Sequence, residues 1–191
     1  MDVLSAIFEK HLSVLHYTDV RNKKLLICFA GVPGSGKTYL ARLIEDKYNG
    51  IRLSNDEVRE IIVDILGKDD EENRERLLHE YLGYFISHFK SPNGLIILDS
   101  GIERKYDRVK EMANKYKFKI FVINVDASLD RVRDRIALRP KHDREHFERE
   151  IGRWTKEYRD FISKVKVDFT FGSEGDVDLN WLFERLDGVV R

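Results

Sequence analysis

The 191-residue chain has little cysteine and no long apolar run, and both absences narrow its class. Cys28 is the only cysteine, so no disulfide can form within the chain, and nothing indicates a secreted fold held by bridges. No segment approaches the ~20 apolar residues that a membrane helix needs. The N-terminus also lacks the basic segment and apolar core of a secretory signal. We therefore expect a cytoplasmic protein without a membrane segment.

An excess of charge of either sign is also lacking. The chain has 34 basic and 34 acidic side chains, which gives a formal net charge of zero. A protein that binds nucleic acid through a strongly basic body is therefore not indicated, although local basic patches are compatible with this composition. The length and the apolar content of 42% fit one α/β domain over residues 1–191.

The most informative segment of the chain is Gly-Val-Pro-Gly-Ser-Gly-Lys-Thr at residues 31–38, directly after the apolar run 25–30. It matches the phosphate-binding loop pattern G-x-x-x-x-G-K-[ST] between a strand and a helix. Its glycines let backbone N–H groups surround a polyphosphate, and the helix adds its N-terminal dipole. The alternative is a glycine-rich turn with an incidental lysine. The residues predicted to bind ATP or GTP are Gly31, Gly34, Ser35, Gly36, Lys37 and Thr38.

Within this loop, two side chains have specific expected roles. Lys37 would bridge the β- and γ-phosphates, and the Thr38 hydroxyl would ligate Mg²⁺. Asp99 follows the apolar run 95–98, which we predict to be a central strand close to the loop. A carboxylate there can position Mg²⁺ directly or through water. The alternative is a turn-forming aspartate that caps the helix beginning near Glu103.

A second acidic position follows the short strand predicted at residues 52–54. Asp56 would face the phosphate loop and accept the proton of an attacking hydroxyl, and Arg59, one helical turn later, would hold the acceptor. Alternatively, this is only a helix start with Ser54 or Asn55 as N-cap and acidic residues in the first turn. That alternative does not explain Arg59, because a positive charge is unfavourable near a helix N-terminus.

An arginine-rich segment forms a candidate lid at about residues 131–145. Arg135 and Arg139 are four apart, which predicts that they share one face of the helix 128–138 before Pro140 ends it. Arginines in a mobile lid can neutralise the charge that develops in phosphoryl transfer. The alternative is a solvated helix face. His142 and His146 are also four apart, but no partner completes a metal site.

The remaining pattern alternates continuous apolar strands with helices, which is typical of a parallel sheet covered on both faces. An amphipathic helix is predicted at residues 3–15, within the N-terminal 1–20. The aromatic cluster on the predicted helix 70–90 belongs to the core or lines an acceptor pocket, and we read Cys28 as a small core residue. Other predicted elements are a turn at 91–94, helices at 103–116 and 143–164, strands at 120–125 and 165–171, and a short last helix around Trp181.

Together the four segments resemble the small P-loop kinase family that includes the polynucleotide 5′-hydroxyl kinases and the zeta-toxin-like kinases, over roughly residues 24–165. The resemblance implies a P-loop NTPase three-layer α/β sandwich with a parallel, five-stranded sheet and an arginine-bearing lid. It implies that Asp56 is the general base and that Arg59 engages an acceptor phosphate. It also implies that Arg135 and Arg139 contact the donor phosphates, and that Asp99 is the family's aspartate after the third strand.

The sequence thus predicts a kinase that moves the γ-phosphoryl group of ATP, with Mg²⁺, to an acceptor hydroxyl. A 5′-hydroxyl of a polynucleotide or nucleotide, such as a single-stranded nucleic-acid end, is the first candidate acceptor. A small metabolite alcohol is the second. A regulatory ATPase is the rival class, but the chain lacks the Asn-Lys-x-Asp guanine signature of a GTPase switch. No protein partner is evident from the sequence.

Overall fold

Five short segments form one parallel sheet in the part of the chain that the computed structural model describes, residues 2–15, 24–67, 71–88, 94–172 and 179–190. The order across the sheet is β2-β3-β1-β4-β5, and every neighbouring pair is parallel. The strands are β1 (Leu25–Ala30), β2 (Ile51–Ser54), β3 (Leu95–Gly101), β4 (Lys119–Asp126) and β5 (Phe169–Gly172).

Eight helices within the same described ranges connect and cover these strands. The phosphate-loop segment joins β1 to the second of them, as the sequence predicts. The helices are α1 (Val3–Val14), α2 (Lys37–Tyr48), α3 (Asn55–Leu66), α4 (Glu71–His88), α5 (Tyr106–Tyr116), α6 (Leu129–Ala137), α7 (Lys141–Lys164) and α8 (Leu179–Val190).

Strand β1 shows why the fold has three layers. Its side chains alternate between the two faces of the sheet, and all six residues are buried. Leu26 and Cys28 pack in the core formed with α1, α3, α4 and α5, whereas Leu25 and Ile27 pack against α2 and α8. Burial raises the pKa of the Cys28 thiol to about 12, which fits an inert core residue. The predicted α/β fold with a parallel five-stranded sheet is confirmed.

The carboxyl ends of β1, β2 and β3 meet at one edge of the sheet, because parallel strands in adjacent positions end on the same side. Ser54 at the end of β2 lies opposite Asp99 in β3. Next to it, the register of β1 and β3 shifts: Cys28 pairs with Leu98 but Phe29 pairs with Gly101. The extra residues form a bulge at this edge, and Asp99 is one of them.

Helix α1 packs on the sheet side that α3 and α4 cover, with Ile7 and His11 fully buried. Of the four aromatic residues in the predicted cluster on α4, Tyr81 and Phe85 are buried in the same core and Tyr84 packs against it. The fourth, Phe89, lies outside the described residues, as do positions 91–93 of the predicted turn.

Several predicted boundaries differ from the structure by one to four residues; for example, the helix predicted at 103–116 begins at Tyr106 and the helix predicted at 143–164 begins at Lys141. The last strand begins at Phe169, not at residue 165, because the Asp168 side chain accepts the Val122 N–H (2.8 Å) just before regular pairing starts. Helix α6 ends at Ala137, one residue earlier than predicted. None of the helices in the described parts of the chain combines the length and apolar character needed to cross a membrane.

Candidate active site

The phosphate loop depends on three glycines with left-handed backbones. Gly31, Gly34 and Gly36 have φ values of 143°, 86° and 116°, a region that other residues rarely adopt. A Cβ at Gly31 would lie 2.6 Å from the Val125 carbonyl oxygen, and one at Gly34 would lie 3.1 Å from a Val132 methyl group. The loop is therefore a cradle of bare backbone, which fits the binding of a polyphosphate.

Lys37 opens helix α2 and folds back over the loop. Its Nζ donates hydrogen bonds to the carbonyl oxygens of Gly31 (2.6 Å) and Val32 (2.9 Å). Burial lowers the pKa of the Lys37 ammonium to about 8, although the neighbouring carboxylates of Glu103 and Asp99 oppose this shift. The carbonyl oxygens of the loop thus occupy the Lys37 ammonium, and the phosphate oxygens of a nucleotide would take their place as its hydrogen-bond acceptors.

Thr38 and Asp99 meet although they are 61 residues apart in the chain. The Thr38 hydroxyl donates to Asp99 Oδ1 over 2.9 Å, and only 3% of the Asp99 side chain is exposed. Hydroxyl and carboxylate oxygens are suitable ligands for Mg²⁺, which usually keeps several waters and binds substrate phosphates as well. Among the described residues, no cluster of three or more His, Cys, Asp or Glu side chains could hold a metal. The donor set therefore fits magnesium that arrives with a nucleotide.

Arg52 is a site residue that the sequence did not predict. From β2, its Nη1 donates to Asp99 Oδ2 (2.9 Å), its Nε donates to Glu45 Oε2 (2.8 Å), and its Nη2 forms an ion pair with Glu57. Burial by itself lowers the pKa of the Arg52 guanidinium, but the hydrogen bonds of Glu57 and Glu45 more than offset this and raise it. Arg52 therefore stays charged beneath the site.

Glu103 is a second residue whose place the sequence did not predict. Its Oε1 accepts the backbone N–H of Gly31 over 2.7 Å, which sets a carboxylate against the first residue of the loop. A Cβ at Gly101, the last residue of β3, would lie 2.6 Å from Glu103 Oε2, so the glycine leaves room for the carboxylate in this position. The position of Glu103, four residues after Asp99, was the one feature of the sequence that could have indicated a carboxylate at this edge of the sheet.

Asp56 and Arg59 lie one turn apart near the start of α3. Arg59 Nη1 contacts Asp56 Oδ1 over 3.2 Å, and Arg59 Nε donates to Glu75 Oε1 of α4 over 3.1 Å. The Asp56 side chain is 88% exposed. Ser54 caps the helix by accepting the Glu57 N–H (3.4 Å), as the helix-start alternative expects. The helix-start alternative thus accounts for Ser54 and for the acidic Asp56 in the first turn, but it does not account for Arg59.

The two lid arginines are placed differently from each other. Arg135 on α6 donates from Nη1 to the carbonyl oxygens of Gly34 (3.1 Å) and Ser35 (2.7 Å). Arg139 lies two residues beyond the end of α6, so the predicted shared helical face is wrong. The residue before a proline is disfavoured in helical conformation, and Pro140 follows directly. Both arginines nevertheless line the same cleft as the loop.

This cleft has a volume of about 1810 Å³ and runs from the phosphate loop to the faces of α3, α4 and α5. Burial lowers the pKa of one of its cations, Lys105, to about 8, and its Nζ donates to the Ser100 hydroxyl. Another, Arg104, pairs with Glu157 of α7 over 2.7 Å. The basic side chains that line the cleft away from the loop include Arg59, Arg76, Arg104, Lys105 and Arg108.

Comparison with known proteins gives both sequence relatives and structural neighbours. The 2′,3′-cyclic-nucleotide 3′-phosphodiesterase of rat is 33% identical over 102 residues, which are 52% of this chain and 23% of the rat protein. The mouse protein of the same name is 32% identical over the same extent. The chain thus spans less than a quarter of the length of these relatives.

Solved structures show the same fold at low sequence identity. Shikimate kinase of Bacteroides thetaiotaomicron superposes with a TM-score of 0.57 at 17% identity, over 86% of this chain and 96% of that one. APS kinase of Mycobacterium tuberculosis, solved with AMPPNP and APS, has a TM-score of 0.54 at 16% identity, over 87% and 99%. A family profile described as AAA domain matches residues 26–161. Because that match spans well over half of its length, the chain belongs to this AAA domain family and has a P-loop kinase fold.

Proposed function

We propose that the chain is an ATP-dependent phosphotransferase that moves the γ-phosphoryl group to an acceptor hydroxyl. The first candidate acceptor is the 5′-hydroxyl of a polynucleotide or nucleotide. One observation carries this proposal: a single cleft connects the phosphate loop with the Asp56–Arg59 pair and a basic surface beyond it. A module that only binds a nucleotide would not need the part of the cleft that lies beyond the phosphate loop.

On the donor side, backbone N–H groups of the loop and the Lys37 ammonium hold the phosphates of ATP, with GTP as the alternative. Thr38 and Asp99 would hold magnesium, which supplies positive charge to the phosphate oxygens when it is bound. Arg135 and Arg139 neutralise the charge that builds up on the transferred group. Closure of the segment that carries them excludes water, so transfer prevails over hydrolysis.

On the acceptor side, Asp56 takes the proton of the attacking hydroxyl. The hydroxyl oxygen forms a bond to the γ-phosphorus while the bond from that phosphorus to the bridging oxygen breaks and ADP leaves. Arg59, 3.2 Å from Asp56, binds an anionic group of the acceptor and holds the hydroxyl in line. Glu75 orients the Arg59 guanidinium from α4.

The charge of the cleft favours an anionic acceptor. Basic side chains from α3, α4 and α5 line its outer part, where Arg59, Arg76 and Arg104 are paired with glutamates and Arg108 and Lys105 add further positive charge. Such a local patch fits the phosphates next to the 5′-end of a short single strand. The rat and mouse relatives are named for a nucleotide substrate, which supports the same class.

A small metabolite alcohol is the second candidate acceptor. The shikimate kinase and APS kinase neighbours favour it, since their names refer to small molecules. A regulatory ATPase, which would hydrolyse ATP without transfer, leaves the Asp56–Arg59 pair without a role.

The test is transfer of labelled γ-phosphate from ATP to RNA and DNA oligonucleotides that end in a 5′-hydroxyl. ADP release is followed in parallel, and the same oligonucleotides with a 5′-phosphate are the matched controls. We expect label only on the hydroxyl ends, and we expect EDTA to abolish it. ADP release that needs an added metabolite alcohol would move the acceptor to a small molecule. ADP release without any acceptor would overturn the transferase proposal.

A further inference from the structure

A buried arginine lies in an otherwise apolar layer of the protein. Arg52 is 8% exposed and follows Ile51, which is buried in the core on the opposite face of the sheet. Its own face is packed by α2, whose Leu40, Ala41 and Ile44 are fully buried. Replacing the arginine together with its buried acidic partner by apolar residues would serve the fold alone about as well, because taking charges out of water costs several kcal/mol for each ion. The arginine therefore calls for an explanation beyond packing.

The contacts of Arg52 join three other elements of the site. Its guanidinium reaches Glu45 on α2, Glu57 on α3 and Asp99 on β3. Helix α2 also carries Thr38, and α3 also carries Asp56. One planar side chain thus ties the expected metal side of the cleft to the helix that carries the expected base.

The same contacts determine how the Asp99 carboxylate is held. Oδ2 accepts the Arg52 hydrogen bond and Oδ1 accepts the Thr38 hydroxyl, each over 2.9 Å. Both oxygens are therefore held by protein donors, and the plane of the carboxylate cannot rotate freely. With all groups ionised, one guanidinium charge faces the three carboxylates of Glu45, Glu57 and Asp99, which leaves a net charge of −2 in the cluster.

We propose that Arg52 is a positioning residue that orients Asp99 for magnesium at the phosphate loop. The inference rests on the proposed function in so far as the nucleotide is bound together with magnesium. Arg52 does not touch the reacting atoms; it acts through Asp99. Glu45 and Glu57 hold the guanidinium in turn, so they belong to the same support.

The variant Arg52→Lys separates orientation from charge. A lysine keeps the positive charge that stabilises the ionised Asp99, but its single ammonium cannot hold three carboxylates in the same fixed directions. We expect the magnesium concentration that half-saturates the nucleotide complex to rise about 10- to 100-fold, as is usual when support of a metal ligand is lost. The affinity for the nucleotide without metal should not change.

The experiment measures binding of the non-hydrolysable analogue AMPPNP by calorimetry at a series of magnesium concentrations, without turnover. Arg185→Lys is the matched control, because Arg185 is an exposed arginine on α8 that does not line the cleft. Circular dichroism and the melting temperature of each variant report on the fold. A merely structural role would lower the melting temperature and leave the magnesium dependence unchanged.

The outcomes are distinguishable. A folded Arg52→Lys protein with the magnesium dependence of the unaltered chain overturns the inference. If that variant does not fold, Glu45→Gln decides, since it weakens the contact that fixes the direction of the guanidinium and so loosens the Arg52–Asp99 hydrogen bond. A rise in the magnesium requirement supports the inference, and no change overturns it. An unaltered chain that binds no AMPPNP contradicts the proposed function itself.

Discussion

The two halves of the cleft are built in opposite ways. On the donor side, Asp99 is 3% exposed, and Thr38 and Arg52 hold it by hydrogen bonds from two different elements. On the acceptor side, Asp56 is 88% exposed and Arg59 is 45% exposed. The donor half is thus part of the folded core, whereas the acceptor half consists of side chains on helix surfaces. Under the proposed function, buried residues of the fold would bind the donor phosphates, and exposed residues would determine the acceptor.

This difference predicts how each half tolerates substitution. Changing a buried donor residue leaves partners unsatisfied and affects every reaction that the site performs. Changing an exposed acceptor residue alters one interaction with the acceptor and leaves the rest in place. The predictions below test that contrast, from the largest expected effect to the smallest.

Lys37→Ala should break the donor half. We expect phosphoryl transfer to fall by about 10³-fold or more, since a preorganised cation at the transferred phosphate is removed. The fold should persist because burial lowers the pKa of the Lys37 ammonium to about 8, so its charge does not stabilise the folded state, and alanine removes only the hydrogen bonds to Gly31 and Val32. Labelled phosphate transfer and the melting temperature measure the two effects. Normal transfer by this variant would contradict the assignment of the loop.

Asp56→Asn should damage the acceptor half only. We expect kcat to fall by about 10²-fold, because an amide cannot accept the proton of the acceptor hydroxyl. Affinity for AMPPNP should stay as it is, since Asp56 lies outside the phosphate loop. Single-turnover transfer and calorimetry provide the measurements. An unchanged rate would reassign Asp56 to the helix start, and Glu60→Gln on the same helix is the matched control.

Arg139→Lys tests whether Arg139 acts on the donor nucleotide or on the acceptor. We expect kcat to fall about 10- to 100-fold, the factor of one charge-assisted hydrogen bond, because lysine lacks the planar fork of arginine. If Arg139 serves the donor, the loss will be the same for every acceptor. A loss confined to one acceptor would place it in the acceptor half, and full activity would make it a surface charge.

The smallest expected effect is the pH dependence of stability that comes from His11 on α1, the helix that packs against α3 and α4. Burial lowers the pKa of His11 to about 4, and its Nδ1 lies 2.7 Å from the Tyr81 hydroxyl. Nearby Glu57 raises this pKa slightly and Arg52 lowers it. The unfolded chain binds this proton more readily, so the stabilisation is complete above about pH 6.5 and is lost as the pH falls toward 4.

Urea unfolding between pH 7.5 and 4.5 measures this loss, which should be on the order of 2 kcal/mol. His11→Phe should reduce the dependence on pH, and His142→Gln at the exposed start of α7 is the control. An equal dependence in His11→Phe would show that other groups cause it.

Sequence reasoning located the loop and Asp99 in the fold because each directly follows an apolar run that predicts a strand. Residues 31–38 follow β1, and the apolar run that leads to Asp99 predicts its place at the sheet edge. It failed for Arg52 and Glu103, whose partners Asp99 and Gly31 are 47 and 72 residues away. No local pattern distinguishes a strand arginine that reaches a distant carboxylate from one that faces solvent.

The prediction for Arg139 failed for a different reason. Spacing alone placed it on the same helical face as Arg135, and the steric demand of Pro140 ended the helix first. The functional roles of Asp56, Arg59, Arg135 and Arg139 stay predictions. Their positions around one cleft are what the structure adds.

The cations around the loop are already engaged before any nucleotide arrives. Lys37 donates to the carbonyl oxygens of Gly31 and Val32, and Arg135 donates to those of Gly34 and Ser35. Binding a polyphosphate therefore exchanges hydrogen bonds instead of adding them. The heat released will be the difference between two sets of bonds, smaller than the contacts of the complex alone would indicate. The affinity of the loop for a polyphosphate therefore depends both on the internal hydrogen bonds that Lys37 and Arg135 lose and on the bonds that they form with the phosphates.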